Sequence, residues 1–272
     1  MLAMVSTTTA TIQYLRSRRF TRADPAIAFG PRSIAIDLSL PQRAVFNVDG
    51  RQLEFGSPEP RIVISGIEPV SMIEIERAGE GVSIALHEQD LADMADQMRV
   101  SKSAMDASLI TGPDPVMWAI AVHLRSALLA QVGLTSLARD RLVHLLFHHL
   151  LARFHNGKPR ERGDGGLERR RAGRLVDHID ANLTGEMTIA ELASVAALSP
   201  FHFLRSFKAS FGMTPHKYVT ARRMDRARRD LAAGDTVATV ARRYGIVERR
   251  HFEDLYLRHF GRAADVEFPK LP

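Results

Sequence analysis

A chain of 272 residues with 45% hydrophobic and 25% charged residues has an ordinary globular composition, long enough for one large domain or two smaller ones. It contains no cysteine, which excludes disulfides, thiolate zinc sites and thiol redox sensing, and no apolar run approaches the ~18 residues of a membrane span. The net charge of +6 is one-sided: residues 158–272 hold 22 Lys+Arg against 15 Asp+Glu, a net of +7, and leave residues 1–157 at −1, so the C-terminal part would meet a polyanionic partner.

The first 23 residues contain no acid and are rich in Ser, Thr and Arg. They resemble a transit peptide weakly and lack the apolar stretch of a secretory signal, so a cytoplasmic protein is expected. "VFNVDGRQLEF", Val45 to Phe55, is two alternating runs around Asp49-Gly50, the strongest short hairpin signal. Further β-branched runs follow at Arg61–Ser65, Met72–Glu76 and Val82–Leu86, separated by Gly66, Pro69 and Gly79–Gly81. A small antiparallel sheet or barrel is expected. Asp114-Pro115 then reads as an N-cap and first-turn proline opening a helix. Thr135 opens a second helix through Phe154 that carries Leu137, Leu142, Leu145, Leu146, Leu150 and Leu151. That helix is too apolar for a lone surface helix, so it must cover the sheet, pack on its neighbour or hold a homodimer.

"NGKPRERGDGG", Asn156 to Gly166, reads as a linker at the point where the charge balance changes. The expected organisation is a first domain over 1–155, a linker over 156–166 and a second domain over 167–268. Beyond the linker every element reads as helix. Leu167 to Leu183 forms the first helix, and Thr188-Ile-Ala-Glu191 is a capping box. Ser199-Pro200 opens the next helix, which Gly212 ends, and Thr214-Pro215 opens a long one to Gly234. Asp235 or Thr236 caps another short helix before Gly245, and a last helix follows.

One pattern occurs twice: short helix, tight turn, second helix, Gly. "HFLRSFKASFG" (His202 to Gly212) and "HFEDLYLRHFG" (His251 to Gly261) keep an aromatic at every fourth position, Phe203/Phe207/Phe211 and Phe252/Tyr256/Phe260. That spacing makes one buried stripe and leaves the opposite face for a DNA groove. The connecting helix of about twenty residues is ~30 Å long, close to the ~34 Å between successive major grooves. Arg222, Arg223, Arg226, Arg228 and Arg229 make it strongly basic, divided between phosphate contacts and a solvated face.

The run "MTIAELASVAALSPFHFLRSFKASFGMTPHKYVTARRMDRARRDLAAGD" closely resembles the first half of the AraC/XylS-type DNA-binding domain. The resemblance covers roughly residues 168–262. It implies a transcription regulator with two helix-turn-helix motifs, at about 188–209 and 236–259, and many such proteins carry an N-terminal sheet domain with a helical dimerisation segment. The fold class expected is α+β, a small antiparallel sheet or barrel with helices followed by an all-helical domain. By position, Phe201, Leu204 and Arg205 would face bases, with Arg205 the candidate for a guanine edge. Ser199 and Pro200 at the helix N-terminus, and Lys208, would meet phosphate. His202 is expected to be structural, because His251 repeats it beside a core aromatic.

The second unit departs from the family pattern at Ile246, Arg250, Glu253, Asp254 and Ala264. Its base contacts are therefore in doubt, with Arg249 and Arg250 its best candidates. The implied partners are duplex DNA, the transcription machinery and a second copy of the chain, with room for a small-molecule effector. No catalysis, cofactor or metal is expected. His144 and His148 have metal-pair spacing without a third ligand, so packing is the better reading. Two rivals remain, a cupin-like metalloenzyme and an architectural DNA binder. The first needs a His cluster on its strands, and no His precedes His87; the second needs no separate first domain.

Overall fold

A computed structural model describes residues 3–40, 42–57, 61–101, 103–112, 114–129, 134–155 and 166–269. The chain forms two compact units, Met1–Leu128 with Gly133–Gly163 and Asp164–Pro272 with the short Leu129–Val132. The expected linker falls almost wholly on residues outside the described ones; only Gly166 is described.

Unit 1 is built on two antiparallel sheets. Its strands are β1 (Ala3–Ser6), β2 (Ala10–Ser17), β3 (Ile27–Ala28), β4 (Ser33–Asp37), β5 (Gln42–Val48), β6 (Arg51–Ser57), β7 (Ile62–Ile64), β8 (Ser71–Ile75), β9 (Gly79–Leu86) and β10 (Leu109–Thr111). One sheet runs β1-β2-β9-β4-β7-β10, the other β3-β8-β5-β6. The predicted hairpin is β5–β6, with Val48 opposite Arg51. Asp49 and Gly50 both adopt positive φ, 50° and 77°, the conformation such a two-residue turn demands. The acid-poor N-terminal segment, which resembled a transit peptide, is instead β1 and β2 paired from Ala3–Tyr14 to Ser6–Thr11. β2 alternates, burying Ala10, Ile12 and Tyr14, as a strand with one face on the core must.

Three helices complete this unit: α1 (Glu88–Gln97), α2 (Pro115–Leu128) and α3 (Ser136–Phe154). The Asp114 carboxylate accepts from the Val116 and Met117 amides and so caps α2, the role the Asp-Pro pair predicted. The same carboxylate meets His149 of α3 at 2.9 Å. Burial alone would raise its pKa, but His149 and the two amides hold it below the usual carboxylate range. α2 is buried almost all round, and α3 packs on it through Leu142, Leu146, Phe147, Leu150 and Leu151. Of the leucines that suggested a dimer helix, Leu142, Leu146, Leu150 and Leu151 are core of this unit, Leu145 is half-buried and Leu137 is exposed. Among the described residues no group of His, Cys, Asp or Glu could hold a metal ion, and no helix is long and apolar enough to cross a membrane.

Unit 2 is helical: α4 (Arg169–Ala181), α5 (Ile189–Val195), α6 (Pro200–Phe211), α7 (Pro215–Ala232), α8 (Val237–Arg243), α9 (Arg249–Phe260) and α10 (Ala264–Glu267). Thr188, Ser199, Thr214 and Thr236 each accept an amide hydrogen bond three residues on, which fixes four helix starts. Gly212 and Gly261 end α6 and α9 in the left-handed conformation.

Candidate nucleic-acid interface

The first repeat is α5–turn–α6. Leu192 and Ala193 of α5 are buried, and Ala197 in the turn sits at φ +50°. Along α6, Phe203, Phe207 and Phe211 are fully buried. Phe207 stacks on Phe211 at 4.4 Å between centroids, and both meet Tyr218 of α7 edge-on at 5.5 and 5.1 Å. Such pairs add about 0.5–1.5 kcal/mol each beyond area burial. This aromatic stack fixes the rotation of α6 about its axis and so sets which face is outward.

That outward face carries the residues the sequence singled out. Ser199, Pro200, Arg205 and Lys208 are exposed, Phe201 is 72% exposed and Leu204 41%. An exposed Phe and Leu beside an Arg is costly for a surface with no partner. Apolar side chains can contact a thymine methyl, and an Arg can reach a guanine edge. His202 and His251 are both exposed, so the expectation that they pack structurally was wrong. The aromatic stripe fills the buried side of α6, and on α9 it shares that side with His259, which leaves His202 and His251 outside.

The second repeat, α8–turn–α9, has the same frame. Val240, Ala241, Phe252, Tyr256 and Phe260 are buried, and Gly245 turns at φ +73°. Its display differs. Glu248 stands at the N-cap without a side-chain capping bond, and Arg249 is tied to Glu253 at 2.7 Å. Arg250, His251, Asp254 and Arg258 are exposed, as are Val247 at 95% and Leu257 at 45%. Both arginines proposed for this helix are exposed, and Arg249 also makes a weak surface pair with Glu253 one turn on.

The turns invite a direct comparison. Gly245→Ala should cost about 1–2 kcal/mol, the left-handed penalty of a Cβ, although nothing lies within 4 Å of that position. Ala197→Gly relieves the same strain but adds unfolded-state freedom, so the two effects should cancel to within ~0.5 kcal/mol. Urea melts of the two variants check the sign of each.

Three of the five arginines of α7 are used inside unit 2. Arg222 forms a fork on Asp180 of α4 at 2.8 and 2.5 Å. Arg223 donates to the carbonyls of Leu183 and Gly185. Arg228 is 5% exposed, bonds Glu267 at 2.8 Å and lies over the Phe260 ring. Arg226 remains exposed. Glu267 also accepts from Tyr256 and Arg262, and His259 of α9 meets Asp225 of α7 at 3.1 Å. Burial, then the Glu267 charge, pushes the Tyr256 hydroxyl far above its usual range, so it stays a donor. Glu267 and His259 carried no signal in the sequence, because their partners lie 39 and 34 residues away.

A family model described as a helix-turn-helix domain matches residues 192–265. The probable transcriptional regulator LumQ of Photobacterium leiognathi is 34% identical over 89 residues, 32% of this chain and 36% of that protein. The transcriptional activator RhaS of Yersinia pestis is 30% identical over 119 residues, 43% of each chain. The chain thus spans less than half the length of these relatives. Among solved structures, a transcriptional regulator of Chromobacterium violaceum described as having an AraC-type DNA-binding domain aligns with 36% of this chain and 88% of its own, at 24% identity and TM-score 0.35.

Proposed function

From a C-terminal unit that is an AraC/XylS-type helix-turn-helix domain, we propose that this protein is a sequence-specific regulator of transcription that binds duplex DNA. The observation that carries the reading is the duplicated aromatic frame, which turns an Arg–Phe–Leu face outward from α6. In this reading Phe201, Leu204 and Arg205 contact bases, while Ser199, Pro200 and Lys208 contact phosphate. Arg249 and Arg250, both exposed, supply the base or phosphate contacts of α9. Unit 1 acts as the sensor or dimerisation domain, and an effector bound there shifts the protein between DNA-competent and incompetent states. The protein works in the cytoplasm as a homodimer that engages the transcription machinery. Leu146 and Leu150 are buried within one chain, so a dimer contact on α3 would use its exposed face, where Leu137 lies.

Selection of bound sequences from a random duplex pool tests this reading; uniform coating without a preferred site would favour an architectural binder. Affinity should fall with salt, by ~0.9 log units per phosphate contact for each log unit of salt. At fixed salt, Arg205→Ala should cost about 1–3 kcal/mol at the preferred site and relax one base position. Asp254→Ala should tighten binding to all sequences alike, because an exposed carboxylate on α9 repels phosphate. Selective weakening at one base pair would instead make Asp254 a cytosine contact.

A further inference from the structure

Resting on the reading of unit 2 as a DNA-binding domain, we propose that His202 of α6 and His251 of α9 are phosphate contacts that take up protons as the duplex binds, so that affinity for DNA rises as pH falls. The same residue type stands at the same place in both repeats, three positions after the N-cap and directly before the first buried aromatic. Both side chains are exposed, and neither has a hydrogen-bond or ion-pair partner among the described residues. The His202 ring lies 5.8 Å from that of exposed Phe201. Packing and internal pairing therefore do not account for the repeated imidazole.

Its place on the helix does. Arg205 lies three residues beyond His202 and shares its outward face. The first turns of a reading helix are the part that enters the groove, between the two phosphate backbones. His251 holds the equivalent place on α9, one residue after exposed Arg250. A phosphate beside an imidazole favours its charged form, and histidine is the side chain that ordinarily changes charge between pH 5 and 8.

The charged groups around the two rings leave that role open. α6 packs on α5 and α7. The one charged side chain of α5, Glu191, is bonded to His178 of α4 at 2.9 Å. On α7, His216, Lys217 and Arg226 are exposed and Arg229 is half-buried, while Asp225, Asp230, Arg222, Arg223 and Arg228 are bonded elsewhere. α9 packs on α7, α8 and α10. Arg242 of α8 and Asp265 of α10 are exposed, Arg243 is bonded to Asp230 and Asp235, and Glu267 is shared by Arg228, Tyr256 and Arg262. Within one turn on their own helices stand Arg205 for His202, and Glu248, Arg249, Arg250, Glu253 and Asp254 for His251, none of them bonded to the ring. The negative charge that favours an imidazolium at both places at once is that of the duplex. The complex then holds more protons than the free protein, so the added affinity is complete at low pH and fades as pH rises through the range in which the bound histidines titrate.

The test uses the full-length protein, the duplex selected from the random pool and a random duplex of equal length, at pH 6, 7 and 8 and fixed salt. Wild-type binding should be about ten-fold tighter at pH 6 than at pH 8, and calorimetry in buffers of different ionisation enthalpy should show uptake of about one proton at pH 7. The salt slope should be steeper at pH 6 by up to ~0.9 for each imidazolium on a phosphate. Both effects should be equal on the two duplexes, because phosphate carries no sequence. His202→Gln and His251→Gln should each remove about half of the pH dependence and together nearly all of it. Binding at pH 8 and the melting temperature should stay those of the wild type, since both positions are exposed. His202→Arg with His251→Arg should bind at pH 8 about as tightly as the wild type does at pH 6. Duplex binding that is independent of pH, a pH dependence that survives the double Gln variant and disappears with His216→Gln, or one confined to the selected duplex overturns the proposal and leaves the regulator reading standing. No duplex binding at any pH removes that reading and the proposal with it.

Discussion

Leu146→Glu with Leu150→Glu should unfold the N-terminal unit rather than release a monomer. Both side chains are completely buried on α3 against their own unit. Losing a buried Leu costs about 2–5 kcal/mol even when Ala replaces it. Here each replacement also forces a carboxylate into apolar surroundings or makes it take up a proton. Together the two changes exceed ~5 kcal/mol, which approaches the whole stability of an ordinary domain. Circular dichroism and thermal melting should show the loss, while Leu137→Glu, at a position 61% exposed, should melt like the wild type. A double variant that keeps its melting transition and merely sediments more slowly would restore α3 as a subunit contact.

Glu80→Gln should be nearly as damaging, although it changes one atom. The Glu80 carboxylate accepts from the Tyr14 hydroxyl at 2.7 Å and from Arg125 at 3.1 Å, and Arg16 approaches at 3.4 Å. Arg125 is fully buried on α2. Removing the acid takes the Glu80 charge away from that guanidinium, and about 3–5 kcal/mol is the usual cost of breaking a buried pair. Replacing both partners, Glu80→Gln with Arg125→Met, should recover much of the loss, and a double-mutant cycle in urea measures it. The cluster also has a pH signature. Burial and the Glu80 carboxylate push the Tyr14 hydroxyl up from 10.0 to about 12. Its contribution is complete below pH 10 and fades as pH rises through 12, so stability should fall in that alkaline window.

The parts of the fold legible in the sequence were those specified by neighbours along the chain. Asp49-Gly50, the Asp114-Pro115 start, the four Ser/Thr caps and the aromatic every fourth residue are local devices, and each formed where it was read. β1 and β2 were missed because their Ser, Thr and Arg gave a compositional resemblance that masked the alternation Ala10, Ile12, Tyr14. α3 was read as too apolar for a surface helix, but pattern alone cannot say whether a neighbour in the same chain or another copy covers it. For the candidate site, the outward face of α6 was legible because the aromatic stripe fixes its opposite. The arginines of α7 were not, since Asp180, Leu183 and Glu267 are partners that only the folded chain brings near. The Arg249–Glu253 pair lies one turn apart and was open to reading from spacing.

The clamping of α7 has a consequence for the DNA rather than for the protein. Aromatic contacts tie its first turn to α6, Arg222 ties its middle to α4, and Arg228 and His259 tie its second half to the elements around α9. If α6 and α9 both read DNA, as proposed, they are thereby held at a set angular offset as well as a set distance. On a duplex of ~10–10.5 base pairs per turn, one inserted pair moves a sub-site by only ~3.4 Å but rotates it by about 35° around the axis. A protein hinged between its readers could follow that rotation. This one would have to twist the duplex or let go with α9, so operator variants should be ranked by helical phase and not by the length of the spacer.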